Sequence, residues 1–222
     1  MVFELPPPGT LHPNNDHDPL PFYYRPVVGR LYRHRLQMGL DLLPAGGSRV
    51  LEIGVGSGIL VGTLTRRYAR YVGTDLELAR GLDRLVAPGC EATFRVADLL
   101  ADALPEGGFD AIVCFSVLEH IADLARAAGN LARALAPGGV LVAGYPMVNR
   151  LMSRAFDVIG FHGIDNHHVS TPVEIERALR RPLRLVAGSA FPPGAPVRAA
   201  LYRCTSWRRA DVVSARDGVE TR

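Results

Sequence analysis

Three carboxylates, Glu52, Asp75 and Asp98, stand at or next to the carboxyl ends of three short apolar runs that read as β-strands: residues 50–53, 71–74 and 92–96. In an open α/β sheet the ends of such strands form the edge where ligands bind, so these acids point to a polar ligand held across several strands. Behind Glu52 comes Gly54-Val55-Gly56-Ser57-Gly58, and the apolar run from Ile59 to Leu64 reads as the helix that follows. A glycine turn feeding a helix N-terminus gathers backbone N–H groups and a positive dipole end around the ligand. Gly54 and Gly56 let the chain turn sharply and let the ligand lie directly on the backbone. The pyrophosphate fingerprint would need glycine at position 59, which is Ile59. A carboxylate at Glu52 repels a pyrophosphate and suits a cationic ligand. Asp75 lies seventeen positions beyond Gly58 and can accept hydrogen bonds from both hydroxyls of a ribose. Leu76 beside it can cover a flat apolar group. Asp98 can accept from an amine, with the Leu99 N–H beside it.

Two further stretches fall in sequence order behind these. Phe109 to Phe115 reads as a fourth strand and delivers Ser116-Val117-Leu118-Glu119-His120 over the same edge. Leu135-Ala136-Pro137-Gly138-Gly139-Val140-Leu141 reads as a helix end and turn into a fifth strand, Val140 to Gly144. The acid with G-x-G-x-G, the Val-Leu-Glu-His phrase and the Leu-x-Pro-Gly-Gly-x-Leu turn together resemble the class I S-adenosylmethionine-dependent methyltransferases, in particular the small-molecule (type 11) group. That resemblance implies a Rossmann-like, doubly wound α/β fold: a seven-stranded sheet, mostly parallel with an antiparallel last strand, and helices on both faces. It also implies S-adenosylmethionine as cofactor, with Glu52, Gly54, Gly56, Asp75, Leu76, Asp98, Leu99 and Ser116 as its contacts. Ubiquinone-pathway O-methyltransferases and small-RNA 2′-O-methyltransferases are similar here and bind a divalent ion through Glu-x-x-Glu-His. This chain has Ser116 at the first of those positions, so no metal is expected.

The remaining segments must position the acceptor. Residues 1–21 hold six prolines and read as an extended, mobile arm. Residues 22–43 carry Val28, Leu31, Tyr32, Leu36, Leu40 and Leu43 at helical spacing, with Arg30, Arg33 and Arg35 between them. Two readings of this basic amphipathic helix compete: peripheral contact with a membrane surface, and a lid over the cofactor with Tyr23, Tyr24 and Tyr32 lining the site. Residues 145–172 are a long connection with an apolar helical stripe and a His162 to His168 cluster, expected as a substrate wall. Thr171-Pro172-Val173-Glu174 spells a capping box opening the next helix. Two last strands are expected at 183–186 and 199–204, with a frayed tail from 208.

Methyl transfer is an in-line displacement on a sulfonium, so alignment supplies much of the acceleration. A base is required only when the acceptor must lose a proton. His120, His167 and His168 are the candidates by residue type.

The bulk numbers fit one domain over residues 1–222, with 48% hydrophobic and 21% charged residues. All 25 basic residues are arginine, which excludes lysine Schiff-base chemistry. A net charge of +3 is too small to imply nucleic acid. Three scattered cysteines and no run long enough to span a membrane lead to the expectation of a cytoplasmic protein acting on a small molecule. The acceptor is expected to be a small, mainly apolar metabolite methylated on oxygen, nitrogen or carbon, such as a quinone, lipid or natural-product intermediate. RNA methylation and cofactor binding without turnover are the alternatives.

Overall fold

The computed structural model describes residues 1–45, 47–101, 104, 108–147, 169–194 and 196–209. Buried Val50, Leu51 and Ile53 make the first strand, β1 (Arg49–Ile53), a run apolar on both sides, as a central parallel strand must be. It is followed by a helix, α3 (Val61–Thr65), and by β2 (Arg70–Asp75), β3 (Glu91–Val96) and β4 (Phe109–Phe115). Then come α4 (Leu124–Ala134), β5 (Leu135–Pro146), α5 (Pro172–Leu179) and the hairpin β6 (Leu183–Phe191) and β7 (Tyr202–Arg209). Ahead of β1 stand the short α1 (Leu20–Tyr23) and α2 (Val28–Asp41). The sequence reads 22–43 as continuous; Pro26 falls in the gap between the two helices, where its ring and missing N–H favour a break.

The seven strands lie in the order β3-β2-β1-β4-β5-β7-β6. β7 alone runs against its neighbours, pairing antiparallel with both β5 and β6, so the sheet is the mostly parallel one expected. The strand order reverses between β1 and β4, and in open α/β sheets ligands bind at the carboxyl ends beside such a switch point. Two apolar layers cover the sheet. One holds Leu131 and Ala127 of α4 with Ile175 and Leu179 of α5; the other holds Leu36 and Leu40 of α2 with Val61 and Leu64 of α3. This is a doubly wound α/β sheet with helices on both faces.

Two element lengths differ from the periodicity. The last two strands extend to Phe191 and Arg209 because they form a hairpin: Leu183 pairs with Arg209 and Phe191 with Tyr202. Backbone pairing carries a hairpin strand past the end of its apolar pattern. Arg208 and Arg209 therefore belong to β7, and the rest of the expected tail lies outside the described residues. α3 starts later than the run from Ile59 to Leu64 suggested, since Ile59 and Leu60 belong to the turn that feeds it.

The capping box forms as spelled. Thr171 Oγ1 accepts from the Glu174 N–H at 3.3 Å, and the Glu174 carboxylate accepts from the Thr171 N–H at 2.8 Å. Replacing Thr171 with alanine leaves a helix-start N–H without its partner. The expected cost is about 1 kcal/mol, read as a lowered urea midpoint with unchanged slope.

Residues 1–21 lie against the domain. The Phe3 N–H donates to Gln37 of α2, Glu4 pairs with Arg66 at 2.8 Å, and Leu11 and Leu20 are buried in the α2–α3 layer. The Asn14 side chain donates to the Glu77 carbonyl, just beyond Asp75.

Candidate functional site

The glycine turn closes the end of β1 over β2. The Gly54 and Val55 N–H groups both donate to the Thr74 carbonyl, at 2.8 and 3.1 Å. Gly54 has φ +79°, and a Cβ there would come within 2.3 Å of Val117 Cγ2, so the turn and the 116–120 segment can meet only because position 54 has no side chain. At Gly56 the nearest group to such a Cβ is the Asp18 carboxylate at 3.7 Å, so this glycine lies beneath the N-terminal segment. Its N–H donates to Asp75 Oδ2 at 2.7 Å. Gly58 serves packing instead, because Leu82 and Leu85 fill the space a side chain would need.

Asp75 ends β2 half-buried, with Oδ2 engaged by Gly56 and Oδ1 meeting only the Glu77 N–H, at a long 3.4 Å. That second oxygen is available to a vicinal diol. Leu76, 71% exposed, offers apolar surface beside it on which an aromatic base can lie. On the neighbouring loop the Asp98 carboxylate accepts from the Leu100 N–H at 2.8 Å, which fixes the loop, while the Leu99 side chain is buried. Gly54, Gly56, Asp75, Leu76 and Asp98 thus lie along one stretch of the sheet edge.

Glu52 departs from the expectation of an acid facing its ligand. It is buried, and Oε2 accepts from the Tyr71 hydroxyl at 2.6 Å. Burial raises its pKa to about 8; the Tyr71 hydrogen bond works against this and the Asp75 charge adds to it. Glu52 underlies the turn, within electrostatic range of Asp75 but without a surface of its own. Sequence order could not show this, because the partner phenol comes from the next strand.

Ser116 is the one non-glycine residue with positive φ among the described residues, at +55°. Such strain gathers at functional sites. Its N–H donates to the Gly144 carbonyl at 2.7 Å, and its hydroxyl lies 3.1 Å from the Tyr202 hydroxyl. His120 is exposed at the end of a short 3-10 turn, whereas its neighbour Glu119 is buried. His167 and His168 lie outside the described residues, as does most of the expected wall. The chain re-enters at Val169 and Ser170, whose N–H groups both donate to the Glu119 carbonyl.

Sequence reading missed two groups here. One is Glu119, whose carboxyl burial raises to a pKa of about 8, with its own backbone N–H and the Arg35 charge opposing. The other is Arg35. Gly39 of α2 sits so close to Phe115 that a Cβ would overlap its ring, and this contact docks α2 on the end of β4. One turn earlier, Arg35 is enclosed by three tyrosines: its Cζ is 4.1 Å from the Tyr32 ring centroid, 5.3 Å from that of Tyr202 and 5.7 Å from that of Tyr23. Burial opposes its charge, yet the phenols of Tyr23, Tyr202 and Tyr32 outweigh that and raise its pKa. The signal was present in the spacing, since Arg35 falls three after Tyr32 and four before Gly39, on the buried stripe.

Residues 51–143 match the family model described as a methyltransferase domain. That segment contains the glycine turn, all three strand-end acids and the Val-Leu-Glu-His phrase. Over these residues the chain is similar to methyltransferase domains. Among similar proteins, a demethylmenaquinone methyltransferase of Thermus thermophilus is 36% identical over 118 residues, 51% of this chain and 52% of that protein. A ubiquinone biosynthesis O-methyltransferase of Psychrobacter cryohalolentis is 35% identical over 116 residues, 48% of this chain and 42% of that one. The chain spans about half the length of these curated relatives. Among solved structures, the N-methyltransferase NodS of Bradyrhizobium japonicum with S-adenosyl-L-homocysteine superposes with a TM-score of 0.61 at 22% identity, covering 89% of this chain and 94% of that one. At this identity the likeness is one of fold.

The residues along this edge fit S-adenosylmethionine, the cofactor of the methyltransferases this segment resembles. S-adenosylmethionine carries a ribose diol suited to Asp75 Oδ1 and a base suited to Leu76. Among the described residues no helix is long and apolar enough to cross a membrane.

The two raised carboxyls set the pH dependence of stability. Both are raised from 4.5 to about 8 in the folded chain. Below about 4.5 folded and unfolded chains are alike protonated at these sites. Between the two values only the unfolded chain ionises, so stability falls as pH climbs toward about 8 and levels off above it. Urea midpoints taken from about pH 5 to pH 9 are expected to decline, and Glu52→Gln or Glu119→Gln is expected to flatten that decline.

Proposed function

We propose that this protein transfers a methyl group from S-adenosylmethionine to a hydroxyl of a small, largely apolar acceptor of the quinol or phenol type. The observation that carries the methyl-donor half is the alignment of Gly56, Asp75 and Leu76 along the sheet edge at the β1–β4 switch point. The acceptor half is supported by the relatives named for demethylmenaquinone and ubiquinone biosynthesis, and by the tyrosine-lined ground around Arg35 next to Ser116. Apolar and aromatic walls with few fixed polar groups suit such a ligand. Asp75, Leu76, Asp98 and Gly56 hold the cofactor in this reading, Ser116 and Glu119 border the acceptor, and the N-terminal segment with α2 forms the cover.

The sulfonium is reactive enough that the chain's main work is to align the nucleophile behind the methyl carbon and keep water out. The test is a panel of acceptors offered with labelled S-adenosylmethionine: short-chain hydroquinones, substituted phenols, alkylamines and RNA. Transfer to the hydroquinones or phenols is expected. Transfer to amines alone would replace the acceptor class, and transfer to RNA with a steep fall in added salt would replace the reading altogether.

A further inference from the structure

Two buried polar atoms near Ser116 have no hydrogen-bond partner among the described residues: Arg35 Nε and Glu119 Oε2. Arg35 Nη2 donates to the Tyr23 hydroxyl at 3.0 Å, so only its Nε is left over. Leaving a buried polar atom without a partner is costly, and a binding or catalytic role is one reason such an atom is kept. These two share a neighbourhood. The Arg35 charge acts on the Glu119 carboxyl, and both act on the Tyr202 hydroxyl, which touches Ser116 Oγ. Yet Arg35 and Glu119 form no ion pair, so each keeps its unsatisfied atom. One atom is a donor and the other an acceptor, which is the complement of a hydroxyl group.

We propose that the acceptor's reacting hydroxyl docks between Arg35 and Glu119, accepting from Arg35 Nε–H and donating to Glu119 Oε2. The inference rests on the hydroxyl-acceptor reading above and gives the acceptor oxygen its place. In the transfer step an oxygen lone pair forms the new O–CH3 bond. The C–S bond breaks with its electron pair going to sulfur, which becomes a neutral thioether. The hydroxyl proton passes to Glu119, so one carboxylate and one sulfonium become a carboxylic acid and a thioether, and charge balances. Arg35 holds the oxygen while it carries negative charge. A carboxyl as basic as Glu119 is better matched to a phenolic proton than an ordinary one. Glu119, rather than the exposed His120, is then the base. Both unpaired atoms are sealed from solvent, and α2, which carries Arg35 and packs on β5, β6 and β7, is the element that must shift to admit the acceptor.

The test uses the full chain saturated with S-adenosylhomocysteine and 4-nitrophenolate as probe, at a pH where the free probe is ionised. Glutamine at 119 copies the protonated carboxyl that follows proton transfer, so the two substitutions should act in opposite directions. Glu119→Gln is expected to tighten probe binding at least threefold. Arg35→Gln is expected to weaken it at least tenfold, and Arg35→Lys to recover part of the loss. S-adenosylhomocysteine affinity should stay within threefold in all three, which separates a failure here from a failure of the cofactor site. No saturable probe binding to the unaltered chain, or weakening by both glutamine variants as a purely structural pair would give, overturns the proposal.

Discussion

Asp75→Ala is expected to weaken S-adenosylhomocysteine binding by on the order of a hundredfold or more. A hydrogen bond to a charged group contributes about 1.5–3 kcal/mol, and the two ribose hydroxyls would share this carboxylate. Each tenfold in affinity corresponds to about 1.4 kcal/mol. The carboxylate also holds the glycine turn through the Gly56 N–H at 2.7 Å, so its removal loosens the backbone that must lie under the ligand. Asp75→Asn separates the two contributions. An amide oxygen can still accept from Gly56, so the asparagine variant should keep the turn and recover part of the affinity without the charge. Calorimetric titration of both variants checks this. Equal affinity in Asp75→Ala and the unaltered chain would remove Asp75 from the cofactor site.

Gly54→Ala is expected to cost about 2–5 kcal/mol of stability, a large part of what a domain of this kind possesses. Two separate penalties add. A non-glycine residue at φ +79° costs about 1–2 kcal/mol, and forcing a methyl against Val117 costs about 1–3 kcal/mol. The second can be relieved and the first cannot. Adding Val117→Ala should therefore restore the steric share while the backbone share remains, which denaturant melts of the two single variants and the double variant would show. Because Val117 lies between Ser116 and Glu119, the crowded single variant should also disturb the acceptor side, and S-adenosylhomocysteine affinity should fall with stability.

How much of this was legible in the sequence depends on how far apart the partners lie. Gly54, Gly56, Asp75 and Asp98 could be read because each sits at a strand end, and parallel strands bring their ends to one edge without any knowledge of side-chain contacts. The Thr171–Glu174 cap could be read because its partners are three residues apart. Glu52 was placed on the right strand but facing the wrong way. Its burial depends on Tyr71, which the pairing of Glu52 with Gly73 brings alongside. Of the Arg35 cluster only the stripe of α2 that carries it was legible. Tyr202 reaches it only because β7 inserts antiparallel between β5 and β6, and Arg35 only because Gly39 lets α2 settle on Phe115. A periodic stripe predicts which face is buried but not what it is buried against.

The most direct test of the central claim is transfer of labelled methyl from S-adenosylmethionine by the purified chain into a host-cell extract, partitioned into organic, protein and nucleic-acid fractions. Label in the organic fraction that disappears with Asp75→Ala is the predicted result. Label confined to nucleic acid or protein would contradict the small-molecule reading. The absence of label from every fraction, with S-adenosylhomocysteine binding intact, would contradict turnover itself.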